Sequence, residues 1–281
     1  RIKTSKLNNL TQRIITGSLF VAALVFCILW SVYSTAILFF VFLVLGALEL
    51  NKLLSAKERN KSLGVESVLL VSVAYSSVLL VLLNVIEPIS VLILVPVVAG
   101  LFLFELFTSK TQSFQKTSNA FFALMYVLVP FVSLNIIGFD NLFEEKIGIE
   151  NSQYILLGFF IILWTSDSMA YVIGKLFGKH KIAPAISPGK TWEGGFGGFV
   201  FSLLAGFSIS YFTESSLNLW LGMAAIISIF GFLGDLSESM LKRKSGMKDS
   251  GNLLPGHGGV LDRFDGIIFS APLVMCYLFW I

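Results

Sequence analysis

The sequence predicts an all-α polytopic integral membrane protein of about nine transmembrane helices, N-terminus cytoplasmic and C-terminus external. Three observations predict it. The chain is 56% hydrophobic and only 13% charged, whereas an average soluble domain carries roughly 25% charged residues. Its apolar residues form continuous runs, not the alternating segments of a β-barrel. When those runs are threaded back and forth across a bilayer, 19 of the 20 Lys and Arg fall on one side, as the positive-inside rule requires.

The elements follow in chain order. Apolar runs near 14–32, 34–55, 63–85 and 88–108 make an N-terminal membrane region, residues 1–118. Runs near 119–139, 154–176, 194–212, 216–236 and 260–281 make a C-terminal region, residues 119–281. Each run has about 17–25 residues, enough to cross the hydrocarbon as a helix. Basic residues then mark the cytoplasmic segments: Arg1, Lys3, Lys6 and Arg13; Lys52, Lys57, Arg59 and Lys61; Lys110 and Lys116; Lys175, Lys179, Lys181 and Lys190; Lys242, Arg243, Lys244, Lys248 and Arg263. Only Lys146 falls outside, in a loop with Asp140, Glu144, Glu145 and Glu150. Trp30, Trp220 and Trp280 are expected at the outer interface and Trp192 at the inner one. Cys27 and Cys276 lie in apolar runs, which argues against a disulfide or a thiolate metal site. No cleavable signal stands out after Arg1, since the first apolar run continues into a second. The expected surroundings are the bilayer, with no nucleic-acid partner.

Polar residues are scarce inside the first four runs and frequent in the last five. Asp167, in "LWTSDSMAYVIGK", is predicted some nine residues inside the cytoplasmic end of its span, a depth of roughly 13 Å at 1.5 Å per residue. An acid there is a functional-site hypothesis by default, and Thr165, Ser166, Ser168 and Tyr171 surround it with hydroxyls. The bland alternative is a helix-packing network. Asp235 closes the eighth run from the same side. Asp262 and Asp265 open the ninth, and a spacing of three places both on one helical face. Two carboxylates so close repel unless a cation separates them or one is protonated. A divalent cation held by Asp235, Asp262 and Asp265 therefore competes with the reading that they are ordinary N-terminal acids favoured by the helix dipole.

Around these acids lie "SMLKRKSGMKD" and "HKIAPAISPGKTWEGG". Lys, Arg and Gly beside carboxylates suit phosphate chemistry, because cations meet the oxygens and Gly exposes backbone N–H groups. "SPGKT" is not a Walker A loop, since Pro184 stands where its first Gly would be. Glu193 either orients a substrate or a basic partner or simply begins the next helix. Gly194 and Gly198, four apart, suit close helix packing. His257, between Gly256 and Gly258, suits either phosphate contact or a loop hydrogen bond.

The stretch "SMLKRKSGMKDSGNLLPGHGGVLDRFD", Ser239 to Asp265, resembles the signature of phosphatidate cytidylyltransferases, and "ISPGKTWEG" and "DSMAY" resemble further segments of that family. The resemblance implies a Mg²⁺-dependent nucleotidyltransferase of phospholipid biosynthesis in the inner membrane: CTP and phosphatidic acid give CDP-diacylglycerol and pyrophosphate, on the cytoplasmic side. It implies metal ligation by Asp235, Asp262 and Asp265, with Asp167 as a deeper ligand or anchor, for one or two cations. Lys242, Arg243, Lys248 and Arg263 would meet nucleotide phosphates. Ser187, Lys190, Thr191 and Glu193 would receive a substrate, with His257, Gly258 and Gly259 allowing close approach. A homodimer is implied by the family alone. Two rivals stand beside this reading: a CTP-dependent lipid kinase, which would transfer the γ-phosphate, and an ion-coupled transporter, which would explain Asp167 but not the density of Lys, Gly and His over 242–259.

Overall fold

The protein is described here from a computed structural model covering residues 9–56, 64–108, 114–139, 152–251 and 258–281, with the side chains of 9–14 left aside. Nine helices run in chain order among these residues: α1 (Asn9–Trp30), α2 (Val32–Leu54), α3 (Val65–Leu82), α4 (Leu94–Thr108), α5 (Gln115–Phe139), α6 (Ser152–Phe177), α7 (Trp192–Thr213), α8 (Leu217–Lys244) and α9 (Leu261–Trp280). A 3₁₀ turn, Pro88–Ile93, leads into α4. Counting that lead-in, α2 to α9 are each long and apolar enough to cross a membrane, and α1 adds the shorter apolar stretch Ile15–Trp30. These are the nine predicted runs, and the protein is an all-α polytopic membrane protein.

One element was not expected. The segment read as a loop before α7 holds a short antiparallel hairpin, β1 (Lys181–Ala183) and β2 (Ser187–Thr191), with Lys181 opposite Thr191. Pro184 and Pro188 hide it from a strand search, because Pro removes a ladder donor and is confined to edges and turns. A two-stranded ribbon has only edges, so Pro188 is tolerated.

Packing is tightest where side chains are smallest. A Cβ at Gly194 would stand 2.7 Å from the Ala170 carbonyl, one at Gly197 2.7 Å from Ile173, and one at Gly198 2.8 Å from the Ser166 carbonyl. α6 and α7 therefore approach backbone to backbone, as the Gly194/Gly198 spacing suggested. Trp220 departs from expectation. It is 1% exposed, its indole N–H donates to Ser215 Oγ at 2.6 Å, and its ring occupies the space a side chain at Gly158 would need. It is a packing residue of α8 against α6, whereas Trp30, Trp192 and Trp280 are exposed as belt residues should be. In α5 a π turn, Leu124–Leu128, precedes Pro130. A Pro ring clashes with the carbonyl four residues back, here that of Tyr126, and a wider turn relieves the clash.

A single hydrophobic core joins the two regions, running from Leu24, Phe39 and Leu50 to Phe160, Ile227, Phe264 and Val274. α2 lies against the start of α9: a Cβ on Gly46 would meet Leu261 at 3.3 Å and Val127 at 3.5 Å. Ser245 Oγ, just past α8, donates to the Leu53 carbonyl at 2.7 Å. α8 has 28 residues, so at 1.5 Å per residue it is roughly 42 Å long against about 30 Å of hydrocarbon. Its last turns therefore reach headgroup level.

If the N-terminus is cytoplasmic, as the basic residues predict, the alternating path puts the α7–α8 turn outside and the end of α8 in the cytoplasm. In a background lacking Cys27 and Cys276, Glu214→Cys should react with a membrane-impermeant maleimide from outside intact cells and Lys244→Cys only after permeabilisation. Equal labelling of both would break the topology.

Candidate active site

The hairpin is locked to the helices on either side of it. Thr191, 2% exposed, is the N-cap of α7, its Oγ1 accepting the Gly194 N–H at 3.2 Å. This satisfies one of the donors a helix start leaves free. Glu193, one turn on, accepts His180 Nδ1 at 2.6 Å and the Lys179 N–H at 3.1 Å. Its carboxylate thus closes the base of the hairpin, with His180 as the basic partner that the sequence allowed for. Lys190 reaches across to α8: its ammonium lies 2.7 Å from Asp235 Oδ2, donates to the Phe232 carbonyl at 3.2 Å and sits 4.2 Å from the centre of the Phe232 ring. Arg243 Nε donates to the Ile186 carbonyl at 3.2 Å, clamping the hairpin turn to the end of α8. Ser187, half-buried in β2, stands in register with Ala183.

The turn that opens α9 is built around Asp262. Its Oδ1 accepts the Lys242 ammonium at 2.6 Å; its Oδ2 accepts the Ser250 N–H at 2.9 Å, the Ser250 hydroxyl at 3.0 Å and the Gly259 N–H at 2.8 Å. Gly258 has φ +83°, which only Gly adopts at little cost, and a Cβ there would stand 2.5 Å from Asp262 Oδ2. Both oxygens of Asp262 are engaged by protein donors, and Lys242 relieves part of the repulsion between Asp262 and Asp265. The backbone at Asp265 (φ −55°, ψ −39°) and Gly266 (φ −66°, ψ −24°) stays helical, so the two acids keep the shared face that a spacing of three predicts. Asp265 turns back to accept the Gly266 N–H at 2.8 Å.

The remaining acids gather on the other side of Lys242. Its ammonium also lies 2.6 Å from Glu238 Oε2, and Glu238 is 0% exposed with Oε1 buried and unpartnered. Asp265 interacts electrostatically with Asp235, Glu238 and Asp167, and Asp167 with Asp235 and Lys190. Gly234 makes the approach feasible: a Cβ there would collide with the Asp265 carbonyl. Asp167, on α6, is exposed yet within range of these charges. The hydroxyls near it in sequence point elsewhere, Thr165 to the Ile161 carbonyl at 2.7 Å and Ser166 to Ser228 at 3.2 Å.

Whether this set suits a metal can be judged from charge and donors. Asp167, Asp235, Glu238, Asp262 and Asp265 stand against two ammonium groups, Lys190 and Lys242, an excess of negative charge in a site that runs from the exposed Asp167 to the fully buried Glu238. Among the described residues no three His, Cys, Asp or Glu form a ready-made cage, because the carboxylates are turned to the lysines. The excess charge, the oxygen-only donors and the unpartnered Glu238 Oε1 fit a hard divalent cation, with Asp235, Glu238, Asp265 and Asp167 as its candidates beside Asp262, which also anchors the turn.

Lys248 and Arg263 are exposed beside this site, and His257 lies outside the described residues. Two residues went unread in the sequence. Glu238 was passed over between Asp235 and Lys242, although the i, i+4 spacing to Lys242 is the signal for an ion pair. Glu49, 5% exposed on α2, went unread because nothing near it in sequence marks its partners. It accepts the Val260 N–H at 3.0 Å, the Leu261 N–H at 3.0 Å and the Ser250 hydroxyl at 2.9 Å. It also explains two glycines, since a side chain at Gly251 or Gly259 would collide with its carboxylate.

Comparison with known proteins gives the family. Residues 11–281 match the model of the Cytidylyltransferase family. Over 164 residues the chain is 44% identical to a phosphatidate cytidylyltransferase of Staphylococcus aureus (strain COL), and 42% identical to those of Staphylococcus epidermidis (strain ATCC 12228 / FDA PCI 1200) and Staphylococcus haemolyticus (strain JCSC1435). In each case the match covers 58% of this chain and 63% of the relative, so the chain spans less than two thirds of their length.

Removing one member of a buried ion pair strands the other. Lys242→Met should cost roughly 3–5 kcal/mol of stability, read by thermal unfolding in detergent, by leaving Glu238 and Asp262 uncompensated. Adding Glu238→Gln to it should recover part of the loss. An unchanged melting temperature in Lys242→Met would show that the pair carries no such charge.

Proposed function

The chain belongs to the cytidylyltransferase family, and from that premise we propose that it transfers the cytidylyl group of CTP to phosphatidic acid, giving CDP-diacylglycerol and pyrophosphate in phospholipid biosynthesis. The observation that carries this reading is the juxtaposition of Lys190 and Lys242 with Asp167, Asp235, Glu238 and Asp265 near the end of α8. Cations and carboxylates placed together at headgroup depth suit a reaction between two phosphates, one on a soluble nucleotide and one on a lipid. With the N-terminus cytoplasmic, that end of α8 faces the cytoplasm, where CTP is.

In the reaction a phosphatidate oxygen attacks the α-phosphorus of CTP, the α–β phosphoanhydride bond breaks, and pyrophosphate leaves with the bond's electron pair. The nucleophile is already anionic near neutral pH, so no separate general base is needed. The protein's task is to hold two anions in line and spread the charge that develops. Lys190 and Lys242 exchange their carboxylate partners for phosphate oxygens, while Arg243 and Lys248 extend the positive surface for the triphosphate. Mg²⁺ held by Asp235, Glu238, Asp265 and Asp167 would neutralise phosphate oxygens and orient the leaving group. Asp262 keeps the Gly258–Gly259 turn in place, and its two glycines let the nucleotide approach the backbone.

The purified protein, given CTP, phosphatidic acid and Mg²⁺, should move label from the α-position of CTP into lipid and release pyrophosphate. Transfer of γ-label to lipid would identify a kinase instead. Asp265→Asn and Asp235→Asn should each lower kcat by about a hundredfold or more, as loss of a preorganised charge does. Near-normal turnover in either folded variant would remove its role, and activity undiminished by EDTA would remove the metal.

A further inference from the structure

We infer that Glu49 is a positioning residue of the reaction, through which the N-terminal helices orient the Asp262 turn; this rests on the reading proposed above. A buried carboxylate in a membrane span is costly unless donors surround it. Glu49 meets three, and all belong to the catalytic turn of the other region: the Val260 and Leu261 N–H groups and the Ser250 hydroxyl. The two N–H groups sit where the helix of α9 starts and its dipole favours a negative charge.

The contact with Ser250 makes this more than a helix cap. Ser250 Oγ lies 2.9 Å from Glu49 Oε2 and 3.0 Å from Asp262 Oδ2, and a hydroxyl has one proton to donate. Its side chain is therefore held between two carboxylates, one from α2 and one from α9. From Asp262 the chain of bonds continues to the Lys242 ammonium at 2.6 Å and on to Glu238 at 2.6 Å. Glu49 thus sets where Ser250 and Val260–Leu261 stand, they set Asp262, and Asp262 sets the ammonium that meets phosphate. The glycine contacts point the same way: positions 251 and 259 have no room for a side chain because the Glu49 carboxylate occupies it. Gly46 and Leu53, on the same face of α2, make the other contacts with α9 and with Ser245.

Glu49→Gln keeps the shape but turns an amide N–H₂ toward one of two backbone N–H donors. It should lower kcat by about 10–100-fold, as loss of an orienting partner typically does, with KM for CTP and for phosphatidic acid each changed by less than about threefold. Glu49→Asp, which keeps the charge but falls short of the donors, serves as the second variant if Glu49→Gln does not fold. Ser250→Ala should lower kcat alone, and the Glu49→Gln/Ser250→Ala double variant should be no slower than the slower single, since both act on Asp262. Parental kcat in a folded Glu49 variant, a loss confined to KM, or multiplicative losses in the double variant would overturn the inference. If the parent protein makes no CDP-lipid, the proposed reaction fails; an active parent with an unaffected Glu49 variant fails this inference alone.

Discussion

The architecture depends on one ammonium group. A carboxylate taken into a helix bundle loses its water and must be given a donor or a counter-charge. Lys242 serves two at once, Glu238 on its own helix and Asp262 on the next. That bridge joins α8 to the turn of α9, and the rest of the site is arranged to let it form. Gly234 brings α8 onto the backbone of Asp265, while Gly231 and Gly266 lie 3.4 Å apart by the same measure. A residue with a side chain at position 234 would push Asp265 away and leave the bridge strained.

Lys190 repeats the device on the hairpin side with Asp235, and the two lysines bracket a group of acids that outnumber them. In the proposed reaction this arrangement has a physical advantage. An empty site with free lysines would bury uncompensated positive charge, and one with free acids the reverse. Pairing them keeps both ionised and near their working places. On nucleotide binding, phosphate oxygens would meet Lys190 and Lys242, and Asp235, Glu238, Asp265 and Asp167 would be free to hold a divalent cation, while Asp262 keeps its Ser250 and Gly259 donors.

Much of this was legible in the sequence. Continuous apolar runs and the sidedness of the basic residues gave nine helices, because hydrocarbon thickness constrains span length strongly. Asp167, Asp235, Asp262 and Asp265 were legible because an acid beside a membrane span has few bland explanations. Their division of labour was not. Asp262 and Asp265 look equivalent at a spacing of three, and only their neighbours from distant segments distinguish them: Lys242 and Ser250 at the one, the charges of Asp235, Glu238 and Asp167 at the other. The hairpin was hidden by its prolines. Trp220 was misplaced because its position along the span suits an interface, while the space beside Gly158, from a distant helix, decided its burial. Glu49 and Ser250 are about two hundred residues apart in the chain, and nothing local to either marks the contact.

That long-range contact also bears on why the first four helices accompany the rest. Their polar content looked slight, yet Glu49 and Glu105 are both buried at 5% exposure, and each meets backbone N–H groups at the start of another helix. Glu105 of α4 accepts the Lys116 and Thr117 N–H groups at 2.9 and 2.7 Å, fixing where α5 begins. Glu49 does the same for α9. In each case a helix start inside a low-dielectric bundle, with N–H groups that water cannot reach, is satisfied by a carboxylate from a different helix. A cap of this kind specifies register as well as energy, since a shift of one residue along α9 would leave both a buried charge and a pair of N–H groups unmatched. The N-terminal region thus acts as a frame that sets the register of α5 and α9, and through α9 the position of Asp262 against Lys242.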